Sequence, residues 1–309
     1  MANAPLMSYA VALIVTWLLT PLVRRIAIAR GAVDDPKRDD RRIHKAPLPR
    51  WGGFALYGGL LVACLTVLPL AFPGTSSPFY LVGLLLVAAA LVIGGAWDDL
   101  LQFSAKIQIV LLLGAGALVQ LFADGGTRVQ LPLVPILAIP ATMITIFILT
   151  KTMDTIDGVD GLASGLATIS AVTLMFLGLR LGWPTFPVVA AAIAGVSMGF
   201  LQHNYNPAKI TLGTGGAYIL GFMLSCLCIM SVRAGYWATP LFLFFVPLVD
   251  AAQVMIQRYR AGVPLSQADK RHVHHLLLKR GLNQRQTVFV LWSVSAFVCA
   301  LYSFVVVKP

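Results

Sequence analysis

Fifteen residues between two long apolar runs carry three carboxylates and a lysine. The stretch reads KTMDTIDGVDGLASG over residues 151–165, and its acidic side chains are Asp154, Asp157 and Asp160. Placing a charged group beside hydrocarbon costs free energy, so we interpret these residues as candidates for a functional site. Two glycines among them favour a turn that lets the backbone approach a ligand closely. The acidic spacing is also typical of a calcium loop, but no acid follows at the twelfth position, so calcium is not favoured.

A second acidic cluster lies at the end of another apolar run. Asp98 and Asp99 are adjacent, and Lys106 follows them. Two neighbouring carboxylates at a helix end can both turn toward a cation or toward a metal-bound phosphate. Hard cations such as Mg²⁺ prefer these oxygen ligands and keep substrate phosphates as further ligands. The pair therefore indicates a metal-dependent site at the mouth of a membrane span.

Other polar residues favour binding of anions. In residues 31–53 we expect Lys45 and Arg50 to grip an anionic head group, and in residues 202–218 we expect Asn204 to face a phosphate or sugar. Residues 257–286 contain a cationic cluster, formed by Arg271, His272, His274 and His275. These histidines lack the spacing of a zinc site, and their cationic neighbours favour a diphosphate or nucleotide. Asp250 lies inside an apolar run and should face the bundle interior, and we expect Asp250 and Lys106 to be further substrate-binding residues.

The composition predicts the elements that position these residues. Of the 309 residues 58% are apolar and only 11% are charged, where soluble domains average about 25% charged. Ten apolar runs are long enough to cross a bilayer as helices, at about 6–27, 52–72, 79–97, 105–123, 132–150, 162–180, 185–202, 215–232, 238–257 and 286–306. We predict an all-α polytopic membrane protein of about ten transmembrane helices, with residues 1–309 as one integral-membrane domain.

The distribution of charge predicts the orientation. With the N-terminus outside, the inside loops hold 19 of the 23 Lys and Arg residues, all five histidines and ten of the twelve acidic residues. Cationic loops remain on the cytoplasmic side, so the polar clusters should form a cytoplasmic site. The net charge of +11 then reflects topology and contact with anionic lipid rather than nucleic acid. All four cysteines lie in apolar runs, and no disulfide is expected.

Carboxylates that suit a divalent cation, together with cations that suit phosphates, indicate phosphoryl transfer. Because the site should lie at the membrane surface, a lipid phosphate is the expected acceptor. A phosphate monoester is largely dianionic at neutral pH, its second pKa being about 6, so a strong general base is not essential. A transporter is the competing class for a protein with this many spans, but the sequence lacks the half-to-half repeat often found in transporters.

Six ordered motifs resemble those of the polyprenyl-phosphate N-acetylhexosamine-1-phosphate transferases. The segments are DDPKRDDRRIHKAPLPRWGG, GAWDDL, TIDGVDGLASG, NYNPAKITLGTGGA, PLVDAAQVMIQR and ADKRHVHHLLLKRG. They cover nearly the whole chain, and the last is more similar to the UDP-GlcNAc-type members than to the peptidoglycan translocases.

The resemblance implies a UDP-N-acetylhexosamine donor, most often UDP-GlcNAc, and a polyprenyl phosphate acceptor. It also implies Mg²⁺ or Mn²⁺, with UMP as the leaving group, in the inner membrane of a bacterium. The product would begin a cell-envelope glycan. Asp98 and Asp99 would then hold metal and lipid phosphate, Asp157 and Asp160 would lie by the uridine diphosphate, and the histidines would contact the donor. Whether the chain forms a homodimer is left open.

Four positions depart from the family pattern. Lys151 and Asp154 replace asparagines, and Thr214 replaces the aspartate of the GDxGS motif, whose serine is Ala217 here. Asp154 would restore the lost negative charge, so we expect the metal ligands to be Asp98, Asp99, Asp154 and Asp157. The alternative is a weakened or repurposed homologue that binds polyprenyl phosphate or nucleotide.

Overall fold

The chain is almost entirely helical. The computed structural model describes residues 3–34, 47–72, 79–122, 128–264 and 271–305. A two-stranded antiparallel ribbon pairs β1 (Val33–Asp34) with β2 (Leu48–Pro49). The helices are α1 (Ala4–Ala29), α2 (Gly52–Ala71), α3 (Phe79–Leu101), α4 (Ala105–Leu118), α5 (Pro135–Ile156), α6 (Leu162–Arg180), α7 (Phe186–Asn204), α8 (Gly213–Arg233), α9 (Thr239–Leu243), α10 (Phe245–Arg260), α11 (Val273–Lys279) and α12 (Gln284–Val305).

Eight of the described helices are long and apolar enough to cross a membrane. They are α1, α2, α3, α5, α6, α7, α8 and α12. Their outward faces carry many large apolar side chains, which is the arrangement that lipid requires. These helices confirm the predicted all-α polytopic membrane fold and make the chain an integral membrane protein.

Two of the ten predicted spans differ from these eight. The run at 105–123 forms α4 followed by a 3-10 turn at Val119–Leu121, which is a shorter apolar helix. The run at 238–257 breaks at Phe244 into α9 and α10. Pro247 explains the break, because it has no N–H to donate to the carbonyl of Leu243 and its ring would clash there. The hydroxyl of Ser170 donates to that carbonyl at 2.8 Å.

The alternating helices bring one set of ends together. The start of α1 lies by the start of α7, where the Ser8 hydroxyl donates to the Val188 carbonyl at 2.9 Å. The opposite end gathers the C-termini of α1, α3, α5 and α7 with the N-termini of α2, α6, α8 and α12, and we call it the site end. Arg24 marks it by donating to the Lys209 carbonyl at 3.0 Å. The start of α1 is therefore at the end opposite the predicted site.

Helix α8 is the centre of the bundle, and its approach to two neighbours requires glycine. Of its most apolar stretch 94% is buried. A Cβ added at Gly53 of α2 would lie 2.6 Å from the backbone nitrogen of Gly216, and one at Gly215 would lie 2.8 Å from the Val92 carbonyl. A Cβ at Gly95 of α3 would collide with the backbone of Gly215. Small residues thus let three helix backbones meet next to the site end.

A larger residue at one of the glycines where α2, α3 and α8 meet should destabilise the fold. We expect Gly95→Ala to lower the free energy of unfolding by about 1–3 kcal/mol, because the added methyl group meets backbone atoms that cannot rotate away. The matched control is Gly114→Ala on α4, where a Cβ would meet nothing within 4 Å. Thermal unfolding in detergent measures both variants, and equal melting temperatures for the two would contradict this packing.

Candidate active site

The aspartate pair at the end of α3 meets the first turn of α8. Asp99 Oδ1 accepts the backbone N–H of Thr214 at 3.0 Å, and Asp98 Oδ2 accepts the Thr214 hydroxyl at 2.9 Å. The first N–H groups of a helix lack intrahelical partners and stabilise an anion. Gly213 starts α8 with a φ of 67°, and a side chain there would collide with Asp99 Oδ2. The glycine-rich segment therefore receives a carboxylate of the protein itself at this N–H.

Arg50 is the cation that faces Asp99. Its Nε lies 3.2 Å from Asp99 Oδ1, and its Nη1 lies 3.8 Å from Asp34 Oδ1. Its backbone N–H donates to the Ala32 carbonyl at 2.9 Å, so the ribbon of β1 and β2 sets its position. Burial lowers the pKa of the guanidinium, but Asp99 and Asp34 raise it, and the pKa ends above its ordinary value. Arg50 therefore stays charged inside the site.

One oxygen of the pair has no hydrogen-bond partner among the described residues. Asp99 Oδ2 is fully buried and receives no hydrogen bond there. A buried charged oxygen without a donor or a cation costs considerable free energy. Asp98 differs, because Oδ1 accepts the Phe103 N–H at 2.7 Å and both of its oxygens accept Gln108 Nε2 at 3.2 Å. Asp99 Oδ2 is thus the atom that a ligand would satisfy.

Lys151 and Asp154 of α5, which both depart from the resembled motif, form an ion pair with each other. Lys151 Nζ lies 2.6 Å from Asp154 Oδ2 and donates to Gln108 Oε1 at 2.7 Å. It also lies 5.9 Å from the ring centroid of Tyr218. Gln108 connects this ammonium to Asp98. The carboxylate of Asp154 is therefore neutralised within the protein, and Lys151 supplies positive charge next to the aspartate pair.

Asp157 follows directly after α5 and carries the least compensated charge of the stretch. Its side chain is half-buried. Desolvation by burial, and then the negative charge of Asp154, raises the pKa of Asp157 well above its ordinary value. Arg50 acts in the opposite direction, and Asp99 is also close enough to act on it. A divalent cation would relieve the same repulsion.

Asp160 and Asn204 hold the loops in place. Asp160 Oδ2 accepts Asn206 Nδ2 at 2.9 Å and the Ala208 N–H at 3.1 Å. Asn204 is 2% exposed, and its Oδ1 accepts the Gly161 N–H at 3.0 Å. Its Nδ2 donates to the Ile210 carbonyl at 3.0 Å. The oxygen and the nitrogen of the Asn204 side-chain amide are thus both bonded within the protein. The contacts of Asn204 and Asp160 fix the turns around the site.

Asp250 positions the histidine segment. His272 Nδ1 donates to Asp250 Oδ2 at 2.6 Å, and the Val273 N–H donates to Asp250 Oδ1 at 2.6 Å. This confirms the prediction that Asp250 faces the bundle interior, where it is 1% exposed. Since the carboxylate holds Nδ1, the Nε2 of His272 is left for another partner.

The histidine segment packs against the aspartate loop. A Cβ added at Gly158 would lie 2.5 Å from His274 Nε2, so only glycine fits between Asp157 and this ring. His274 is 1% exposed, and its ring stacks on that of His272 at a centroid distance of 5.5 Å. Burial, then the charges of His275 and His272, lowers the pKa of His274 to about 3. His274 is therefore a neutral packing partner at physiological pH.

The remaining predicted residues are placed less centrally. Lys106 is exposed at the start of α4. Arg271 Nη1 donates to the Gln257 carbonyl at 3.1 Å, so its guanidinium bends back over α10. Lys45 lies outside the described residues. Sequence reasoning missed Gln108, and the sequence pattern that could have indicated it was an amide near the start of an apolar run, ten residues after Asp98.

The four predicted metal ligands are unequally available. Within the described part of the chain no three acidic, histidine or cysteine side chains converge as a metal-binding group. Mg²⁺ needs only one or two carboxylates, because it keeps waters and substrate phosphates as ligands. Asp99 and Asp157 fit such a cation, whereas the oxygens of Asp98 and Oδ2 of Asp154 already have donors in the protein. The assignment of each residue's role stays a prediction.

Comparisons with known proteins agree on one family. The sequence model described as glycosyl transferase family 4 matches residues 81–232. A Bacillus subtilis (strain 168) protein named probable undecaprenyl-phosphate N-acetylglucosaminyl 1-phosphate transferase is 30% identical, over 93% of this chain and 81% of that protein. The decaprenyl-phosphate N-acetylglucosaminephosphotransferase of Mycobacterium tuberculosis (strain ATCC 25618 / H37Rv) is also 30% identical, over 94% of this chain and 81% of that protein. A Salmonella typhi protein, named undecaprenyl-phosphate alpha-N-acetylglucosaminyl 1-phosphate transferase, is 27% identical over 90% and 77% respectively.

The ion pair of α5 should appear as thermodynamic coupling. We expect Lys151→Met and Asp154→Asn each to lower the free energy of unfolding, because each leaves a partly buried charge without its partner. The double variant should lose less than the sum of the two, by about 1 kcal/mol. Solvent limits the coupling, since the side chains of Lys151 and Asp154 are 31% and 19% exposed.

Thermal and denaturant unfolding measure this cycle. The matched control pairs Asp154→Asn with Arg233→Met, at the far end of α8, where the two effects should add. Additivity of Lys151→Met and Asp154→Asn within the error of that control would contradict the pairing.

Proposed function

The chain belongs to glycosyl transferase family 4, and we propose that it transfers N-acetylglucosamine 1-phosphate from UDP-GlcNAc to a polyprenyl phosphate, releasing UMP. The names of its relatives support the sugar phosphate and the polyprenyl acceptor. The donor follows from the same chemistry, because a sugar 1-phosphate must be transferred from an activated diphosphate.

The observation that carries this proposal is the pairing of Arg50 with Asp99. A guanidinium held at 3.2 Å from Asp99 Oδ1 adjoins a buried carboxylate oxygen that receives no hydrogen bond from the described residues. The site therefore offers a fixed cation for phosphate and an anionic oxygen for a metal-bound phosphate. Transfer of a phosphoryl group between two phosphates needs both kinds of group at one place.

In the proposed reaction a phosphate oxygen of the lipid attacks the β-phosphorus of the UDP-sugar. A new P–O–P linkage forms, the bond from the β-phosphorus to the bridging oxygen breaks, and that oxygen leaves on UMP. The attacking phosphate monoester is already largely dianionic at neutral pH, with a second pKa of about 6, so no residue has to remove a proton from it. Holding the two phosphates in line would supply most of the rate enhancement.

The residues of the chain then divide into binding and positioning groups. Arg50 binds a phosphate, and His272 presents Nε2 to the donor because Asp250 holds Nδ1. Asp160 and Asn204 keep the two loops in register through bonds to backbone groups. Lys106, exposed at the same end, is available to the anionic lipid. Positioning residues of this kind hold a site within the narrow geometry that transfer requires.

Mg²⁺ or Mn²⁺ would be held by Asp99 and Asp157. When bound, the ion neutralises the charge that develops on the diphosphate of the donor. Asp154 stays paired with Lys151, and Asp98 stays bonded to Thr214 and Gln108, so that these two carboxylates orient the neighbouring groups.

The membrane and the side of the site are part of the proposal. The bacterial relatives support an inner membrane as the location. In the topology predicted from the sequence the inside loops hold 19 of the 23 Lys and Arg residues, which favours the cytoplasmic side for the site. UDP-sugars would then reach the site from the cytoplasm, and the lipid would reach it from the membrane.

The deciding experiment is an assay of UMP release. Purified protein with UDP-GlcNAc, undecaprenyl phosphate and Mg²⁺ should release UMP and form the lipid diphosphate sugar. We expect Asp99→Asn to reduce kcat by at least about 10²-fold, because it removes an anionic group next to the transferring phosphate. Arg233→Gln, at the opposite end of α8, is the control and should retain full activity. If the unsubstituted protein released no UMP with any UDP-sugar, the proposal would be wrong. That result would favour a homologue that only binds lipid or nucleotide.

Substitutions of Thr214 test whether its hydroxyl orients Asp98. We expect Thr214→Ser to keep the activity, because it keeps the donor. Thr214→Val should lose about tenfold, which corresponds to one hydrogen bond of about 1.4 kcal/mol. Thr214→Asp should change the rate of an activity that the unsubstituted protein already has. Activity that emerged only in Thr214→Asp would instead identify the natural chain as non-catalytic.

A further inference from the structure

A cavity bordered by basic side chains, which we call the basic cavity, lies at the site end but on different elements. It has a volume of about 460 Å³, and its walls include Arg24, Arg25, His203, Lys209, Pro21 and Ile210. These residues belong to the last turns of α1, the end of α7 and the loop before α8. None of them takes part in the hydrogen bonds around Asp98 and Asp99 described above, so the cavity is separate from the candidate active site.

The walls of this basic cavity are cationic and partly fixed. Among the described residues that line it none is acidic, and three carry a permanent positive charge. Arg24 is anchored because its Nε donates to the Lys209 carbonyl at 3.0 Å. His203 is anchored because its Nε2 lies 3.1 Å from the Trp17 carbonyl and its ring stacks on the indole. One anchored guanidinium, with the side chains of Arg25 and Lys209 around the same cavity, suits a phosphate group.

An apolar stripe of α1 leads directly to the basic cavity. Trp17, Leu18 and Leu22 are 47%, 60% and 52% exposed. Helical spacing places Trp17 below Arg24, and it places Leu18 and Leu22 below Arg25. Only 22% of the most apolar stretch of α1 is buried in the protein, so this face meets the hydrocarbon of the membrane. The surface thus changes from apolar to cationic where lipid acyl chains give way to head groups.

From this juxtaposition we propose that the basic cavity binds the phosphodiester of an anionic phospholipid, whose acyl chains lie along Trp17, Leu18 and Leu22. A free phosphate would use the cations alone, whereas a phospholipid uses the cations and the stripe together. The size of the cavity is sufficient for a phosphoglycerol head group, since small-molecule pockets of about 300–1,000 Å³ are usual. Zwitterionic lipids carry their own cation and would be disfavoured by the three positive charges.

The loop that closes the cavity also supports the candidate active site. The Lys209 N–H donates to the His203 carbonyl at 2.9 Å, and the Thr211 N–H donates to the Pro49 carbonyl at 2.9 Å, next to Arg50. The same loop leads into Gly213 and Thr214. A head group bound to Lys209 would therefore stabilise the segment that sets the distance from Arg50 to Asp99. If the proposed function holds, an anionic phospholipid should raise the transfer rate by two- to fivefold.

The primary test is binding, and it needs no sugar nucleotide, so its failure leaves the proposed function standing. Purified protein in a neutral detergent is unfolded thermally with added dioleoyl phosphatidylglycerol, dioleoyl phosphatidylcholine or inorganic phosphate at equal concentration. A ligand that binds only the folded state raises the melting temperature. We expect phosphatidylglycerol to raise it by at least 3 °C, and the other two additives to raise it by less than 1 °C.

Two double variants of equal charge identify the site. Arg25→Gln with Lys209→Gln should lose at least two-thirds of the phosphatidylglycerol shift and weaken lipid binding at least tenfold by native mass spectrometry. Arg128→Gln with Arg233→Gln removes two exposed arginines elsewhere on the chain and should keep both values. If the first pair unfolds early in phosphatidylcholine, the single variant Arg25→Gln replaces it, with at least a threefold loss of lipid affinity expected. An undiminished shift in these variants, or an equal shift with inorganic phosphate alone, would overturn the proposal.

Discussion

The burial of Asp98 and Asp99 at the end of an apolar helix is the constraint to which the surrounding structure responds. A carboxylate there needs donors or cations, because hydrocarbon and packed helices supply neither. Thr214 at the start of α8 supplies two donors, and Arg50 supplies a charge from the ribbon. Gln108 on α4 supplies a third side chain. Elements far apart in the sequence thus meet at one point because the same two carboxylates attract them.

The contact between α3 and α8 strictly limits the size of the side chains between these two helices next to the site. The donors of Thr214 reach α3 only if the backbones of the two helices nearly touch, which glycine at positions 95 and 215 permits. Gly213 adds the backbone conformation that starts the helix directly over Asp99. Membrane helices gain little from burying apolar surface against each other, since lipid is equally apolar, so close packing is a main source of their association. The packing that holds the bundle together is therefore also what places the polar groups.

Three of the four departures from the resembled motifs, at positions 151, 154 and 214, are connected in space. Thr214 donates a hydrogen bond to Asp98, which an ionised aspartate in its place would not do. Lys151 sits on the far side of Asp98, joined to it through Gln108, and it carries Asp154 as its own counter-ion. Position 214 thus carries a neutral donor where the resemblance implies an aspartate, and a paired cation lies nearby. Lys151, Asp154 and Thr214 therefore belong to one polar network around Asp98.

The sequence by itself determined the fold class, the face that carries the polar groups and most of the residues around the site. Apolar runs of bilayer length, the concentration of Lys and Arg in alternate loops, and carboxylates at the ends of runs are local patterns, and each has a local physical cause. Only the tertiary structure decided which of these residues face each other. Asn204 and Asp160 hold backbone groups of other loops, Lys151 donates to Gln108 on another helix, and the break at Phe244 is tolerated because Ser170 satisfies the Leu243 carbonyl. Such pairings depend on packing between segments 43 to 73 residues apart, and no periodicity within one segment specifies a partner in another.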